Sequence, residues 1–113
     1  MGTQNVISST IDSKTIVINP GDRLDNNNAM DISLAICSAQ TEGVLDIRVD
    51  MSVLELLSSA GIGSILGSVE ASREQGGDIT LWNPSDKIMH ILEVLDLAEY
   101  LTIRTGNVSV AKV

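Results

Sequence analysis

Hydrophobic period is the feature that most constrains this chain. "VLDIRVD" at 44–50 alternates Leu45, Ile47 and Val49 with Asp46, Arg48 and Asp50, the period-two pattern of a half-buried strand. Ile62, Ile65, Leu66 and Val69 then fall at helical spacing, and "REQGG" supplies a glycine stop at Gly76 or Gly77. "DITLWN" from 78 returns to strand. "NPSD" at 83–86 opens another helix, with Asn83 as cap and Pro84 in the first turn, and Ile88, Ile91, Leu92 and Leu95 form its stripe. "YLTIR" at 100–104 is a last short strand. A chain that alternates in this way builds a largely parallel sheet with helices packed on it.

Upstream, 5–11 and 14–19 read as two β-branched strands around Asp12-Ser13, stopped by Pro20-Gly21. Asp25 and the following asparagines offer cap oxygens to a helix whose inner stripe is Ala29, Ile32, Ile36 and Ala39, ending near Glu42-Gly43. The order is β-β-α-β-α-β-α-β, which predicts an α/β fold with a mixed, mostly parallel sheet of four to five strands. With 113 residues the chain is read as one domain, 1–113, with its core at about 5–104 and a tail at 105–113.

Charge and composition exclude several function classes. Fifteen acids against seven bases leave a net charge of −8, which repels nucleic-acid backbones and anionic lipid. With no Phe, one Trp and one Tyr, platforms for stacking bases are missing. The acids are scattered singly and read as solvated faces. A lone Cys37 excludes an internal disulfide, and its place in an apolar helical pattern predicts a small buried side chain. The first ten residues have no basic-then-apolar leader and no apolar run is long enough to span a bilayer, so a cytoplasmic location is expected.

"LLSSAGIGSILG" at 56–67 bears on function most directly. Its glycines sit about ten residues beyond Val49, too far for the tight turn of a dinucleotide fingerprint, and Asp78 begins the next strand instead of ending it. Gly63 and Gly67, four apart, predict close approach of the helix to the sheet. A hydrolytic serine needs a base, but the one histidine, His90, shares the polar side of its helix with Lys87 and Glu93, and the G-x-S-x-G elbow is absent. No catalytic residue, metal site or cofactor is expected. One of Ser58 and Ser59 caps the helix that carries Ile62 to Val69, and the other is a cap alternative or a substrate for another enzyme. A hydroxyl at a helix start is exposed, and a phosphate attached there is tolerated by the helix dipole.

Three motifs in order, "GDRLDNNNA" at 21–29, "SSAGIGSIL" at 58–66 and "GGDITLWNP" at 76–84, resemble those of the STAS-domain family of anti-sigma factor antagonists. "ILEVLDLAEYLTI", ending at Ile103, is similar to the family's closing helix and strand. The resemblance covers nearly the whole chain. It implies a SpoIIAA-like fold and a partner-switching regulator. The unphosphorylated antagonist binds an anti-sigma factor that is also a serine kinase, releasing the sigma factor, and phosphorylation ends the complex until a phosphatase of the PP2C type resets it. Aligned on the family motif, the acceptor is Ser59, with Ser58 as a minor alternative where many members carry Asp. Asp25 is implied to lie near the acceptor on the docking face. Ser58, Ser59, Gly61, Ile62 and Gly63 complete the expected partner-binding set, with Gly61 and Gly63 letting the partner approach and Ile62 anchoring the helix below. The resemblance also leaves an alternative: a STAS scaffold, or a small subunit of a lipid-transport ABC complex, without serine phosphorylation.

Overall fold

The computed structural model describes residues 7–110, so the start of the expected first strand and residues 111–113 of the tail lie outside the described residues. β1 (Ile7–Asp12) and β2 (Thr15–Asn19) form an antiparallel hairpin in which Asp12 Oδ1 accepts the Lys14 N–H at 2.9 Å. β3 (Arg23–Leu24), α1 (Ala29–Thr41), β4 (Asp46–Asp50), β5 (Leu56–Leu57), α2 (Ser59–Glu74), β6 (Asp78–Trp82), α3 (Asp86–Val94) and β7 (Thr102–Arg104) follow. The main sheet runs β1-β2-β4-β6-β7, and every pair after the hairpin is parallel. This is the mixed, mostly parallel sheet the periodicity predicts. The β3–β5 pair forms a separate two-stranded parallel ladder, too short to leave a periodic signal.

Register decides where the core sits. Ile18, Val49 and Leu81 stand opposite one another across β2, β4 and β6, as do Ile47 and Ile79 in the next row. These side chains share one hydrophobic cluster with Ile32 and Ile36 of α1, Ile62, Ile65 and Val69 of α2, and Ile88 and Leu92 of α3. Each large aliphatic side chain so buried contributes about 1.5–3 kcal/mol. Among the described residues, the helices therefore cover one face of the sheet, and the other face carries Val17, Arg48, Thr80 and Trp82.

Four local expectations are corrected. Cys37 is exposed. Ile32, Ile36 and Ala39 already fill the inner face of α1, and Met30, Leu34 and Cys37 fall on its outer side. Gly63 and Gly67 are also on an outer face, with no atom near a Cβ placed on either, so neither brings α2 to the sheet. The cap of α3 is Ser85, whose hydroxyl accepts from the Ile88 N–H at 3.3 Å. Asn83 instead turns the chain with φ +58°, leaving Pro84 ahead of the helix. The asparagine oxygens do not cap α1: Asn28 occupies the cap position without a side-chain cap bond and is buried for another purpose.

Candidate functional site

The site is assembled by the short ladder. After β4, the Glu55 N–H donates to the Asp22 carbonyl at 2.7 Å, and Leu57 pairs with Leu24. One residue on, the Ser58 N–H donates to the Leu24 carbonyl at 3.0 Å. Ser58 is extended, with φ −100° and ψ 169°, and its Oγ accepts the Gly61 N–H at 3.1 Å. That is the geometry of an N-cap, and it settles which serine closes the helix. Ser59 is the first residue of α2 and is exposed, as is Ala60.

The next turn holds this arrangement in place. Gly61 is buried against the backbone of Leu24, whose carbonyl a Cβ at 61 would strike. The expectation that Gly61 opens a path for a partner is therefore corrected: its bare Cα faces inward. Gly63, exposed, remains on the outer surface, whereas Ile62 is 4% exposed and packed in the core, so its expected place in the partner-binding set is corrected: it anchors the turn and offers a partner almost no surface. Ser64 Oγ donates to the Gly61 carbonyl, which tightens the same turn.

Asp25 directly follows Leu24, so the ladder brings it to the serine end of α2. Its Oδ1 accepts the Asn27 N–H at 2.9 Å and its Oδ2 lies 3.5 Å from Arg23 Nη1. Asn28 is a residue the sequence reading cast only as a cap. It is 2% exposed, donates Nδ2 to the carbonyls of Pro20 and Arg23 at 3.2 and 2.7 Å, and accepts the Asp25 N–H through Oδ1 at 3.0 Å. It thereby fixes the loop that presents Asp25. The signal for it was its place between a Pro-Gly turn and an apolar helix, where a buried amide can satisfy several loop carbonyls.

Chemically, the arrangement offers an exposed hydroxyl beside the free N–H groups of a 16-residue helix. His90 is exposed on α3, and among the described residues neither serine is hydrogen-bonded to it. Among the same residues no cluster of His, Cys, Asp or Glu is placed to hold a metal ion, and no helix is long and apolar enough to cross a membrane.

The family model described as Mlab, STAS domain, matches residues 7–105. The chain belongs to the STAS-domain family. The STAS match takes in the ladder, the serine motif and all three helices. An anti-sigma-B factor antagonist of Staphylococcus aureus is 21% identical over 101 residues, which cover 89% of this chain and 94% of that one. Among solved structures, the anti-sigma factor antagonist SpoIIAA in its unphosphorylated form has a TM-score of 0.79 at 21% identity, covering 90% of this chain and 88% of that one. The Bacillus cell fate determinant SpoIIAA in the phosphorylated form has a TM-score of 0.73 at 21% identity, covering 90% and 91%. At such identities the structural likeness establishes a SpoIIAA-like STAS fold.

Proposed function

We propose that this STAS domain is an anti-sigma factor antagonist whose binding is switched by phosphorylation of Ser59. One observation carries the reading: Ser58 does the capping, which leaves the Ser59 hydroxyl exposed at the first position of α2. In the unphosphorylated form the surface around Ser59, Gly63 and Asp25 binds an anti-sigma factor with serine-kinase activity. The kinase supplies ATP and any metal ion, moves the γ-phosphoryl group to Ser59 Oγ and releases ADP. The new group adds roughly −1.5 to −2 charges at the contact, and the partner dissociates. A PP2C-type phosphatase restores the hydroxyl. A Ser at 58, where many relatives of this kind carry Asp, is compatible with this scheme, because both side chains accept the N–H bond of a cap.

Incubation with the cognate kinase and ATP is expected to add one phosphoryl mass to the peptide containing Ser58 and Ser59. Ser59→Ala abolishes that gain. Labelling that persists in the variant moves the acceptor to Ser58. An unlabelled chain that co-purifies with an ABC ATPase overturns the proposal in favour of the transport-subunit reading.

A further inference from the structure

Three contacts that seat the start of α2 meet on Leu24, which is itself fully buried. Leu57 pairs with it, its carbonyl accepts the Ser58 N–H at 3.0 Å, and Gly61 lays its bare Cα against that same carbonyl. A ladder of two residues is too short to hold such a position alone. The further support comes from Asn28. Its Oδ1 accepts the Asp25 N–H at 3.0 Å, and its Nδ2 donates to the Arg23 carbonyl at 2.7 Å and to the Pro20 carbonyl at 3.2 Å. The amide therefore grips the peptide groups on both sides of Leu24.

One of those grips has a consequence for the serines. The Leu24 carbonyl and the Asp25 N–H are the two ends of a single trans peptide plane, which is rigid. Asn28 Oδ1 holds the N–H end, so it sets the direction in which the carbonyl end points, and that end holds Ser58. Asn28 stands at the cap position of α1, whose Ile32 and Ile36 are locked in the core, so the clamp has a firm base. Only an amide fills the place: it needs two donated bonds and one accepted bond, and a carboxylate can only accept. We infer that Asn28 is a positioning residue for phosphorylation, setting through the Leu24–Asp25 peptide where the first turn of α2 holds the Ser59 hydroxyl. The inference rests on the Ser59 reading above. Phosphoryl transfer needs the attacking oxygen in line with the bond that breaks, and a misplacement of about 1 Å costs on the order of a hundredfold in rate. Asn28, 2% exposed, touches neither kinase nor nucleotide and acts through the peptide it holds.

The test is Asn28→Asp in the full chain, which keeps the shape and the accepted bond but sets a carboxylate against two carbonyls. With the cognate kinase and ATP, kcat for phosphorylation of the variant is expected to fall about tenfold while KM stays within about twofold. A fold that is merely weakened behaves otherwise: fewer molecules are competent, which raises the apparent KM and leaves kcat at saturation alone. Ile79→Val, which trims a fully buried side chain of β6, is the control expected to follow that second pattern. In the free chain, hydrogen exchange of the Ser58 amide is expected to run about tenfold faster in Asn28→Asp, measured relative to the Val49 amide of the central strand, which reports global opening. An unchanged kcat, with the parent labelled at Ser59, overturns the inference and leaves the Ser59 reading standing. A Ser58 amide that exchanges no faster overturns it as well, because the bond to Leu24 then does not depend on Asn28. A parent that takes no label at Ser59 overturns both. Should Asn28→Asp not fold, Asn28→Ser adds no charge and cannot grip both sides of Leu24, and a loss of about threefold in kcat is expected from the same misplacement.

Discussion

At the scale of single residues, the serine motif separates roles that its spelling leaves merged. Gly61 and Gly63 sit in one turn and face opposite surroundings. A methyl group on Gly61 meets the Leu24 carbonyl, a backbone atom held by the Ser58 N–H, so the collision cannot be relieved by a rotamer. Gly61→Ala is expected to destabilise the chain by about 1–3 kcal/mol. Gly63→Ala meets nothing and replaces a poor helix former, so it is expected to stabilise by about 0.5–1 kcal/mol. Urea unfolding of the two variants measures both, and equal effects of one sign would remove the geometric argument. The serines divide in the same way. Ser58→Ala loses a cap and is expected to cost about 1 kcal/mol. Ser59→Ala is expected to stay within about 0.5 kcal/mol of the parent, since its side chain is exposed.

At the scale of elements, what was legible was periodic and what was missed was not. Each main strand after the hairpin and each helix repeats its pattern long enough to be read, and their order implies the parallel sheet. The β3–β5 ladder escapes because two residues have no period, although it brings Asp25 to the serines. Cys37 lies outside the core although its spacing is apolar, because α1 carries apolar residues on both sides, with Met30 and Leu34 exposed at 68% and 60%, so hydrophobicity alone does not mark the inner stripe. The Asn83-Pro84 dipeptide imitates a helix start, while the partners that Asn83 actually takes, at Gly106, are 23 residues away and leave no local signal. Asp78, at the start of β6, shows a contact of the same long-range kind. Its carboxylate accepts from Thr102 Oγ1 at 2.6 Å, from Arg73 Nε at 3.0 Å and from the Ile79 N–H at 2.9 Å, joining α2, β6 and β7. Partial burial pushes its carboxyl up, and the bonds from Thr102, Arg73 and Ile79 outweigh that and hold it below the ordinary carboxylate range. A depressed folded-state value gives stability that is present above the unfolded pKa of about 3.9 and lost as pH falls through the folded one. The thermal midpoint is therefore expected to drop as pH is lowered from about 4. Asp78→Asn should flatten that drop and lower the midpoint at pH 7, and a variant with the parent's full acid dependence would assign the effect elsewhere, Asp12 first.

At the scale of the whole molecule, the proposed switch requires that a charge change the surface while the fold stays as it is. Ser59 is exposed and the core begins at Ile62, so an anion at 59 enters water on one side and the positive end of α2 on the other. Self-repulsion on a chain already at −8 opposes it, and at physiological salt it comes mainly from acids within the Debye length of about 8 Å, Asp25 first. The helix interaction, about 0.3–1 kcal/mol, is of the sign and size to offset it. Ser59→Asp is accordingly expected to shift the thermal midpoint by no more than about 4 °C, the equivalent of roughly 1 kcal/mol in a domain of this size. At a protein interface the same charge is desolvated and faces a partner shaped for a neutral hydroxyl, which costs far more. Calorimetric titration with the kinase partner should show at least about a tenfold loss of affinity, the equivalent of 1.4 kcal/mol. The loss should persist at about 0.5 M salt, because direct contact leaves no room for screening. A loss that disappears at high salt would mean that the charge acts from a distance, and that Ser59 lies beside the bound partner instead of beneath it.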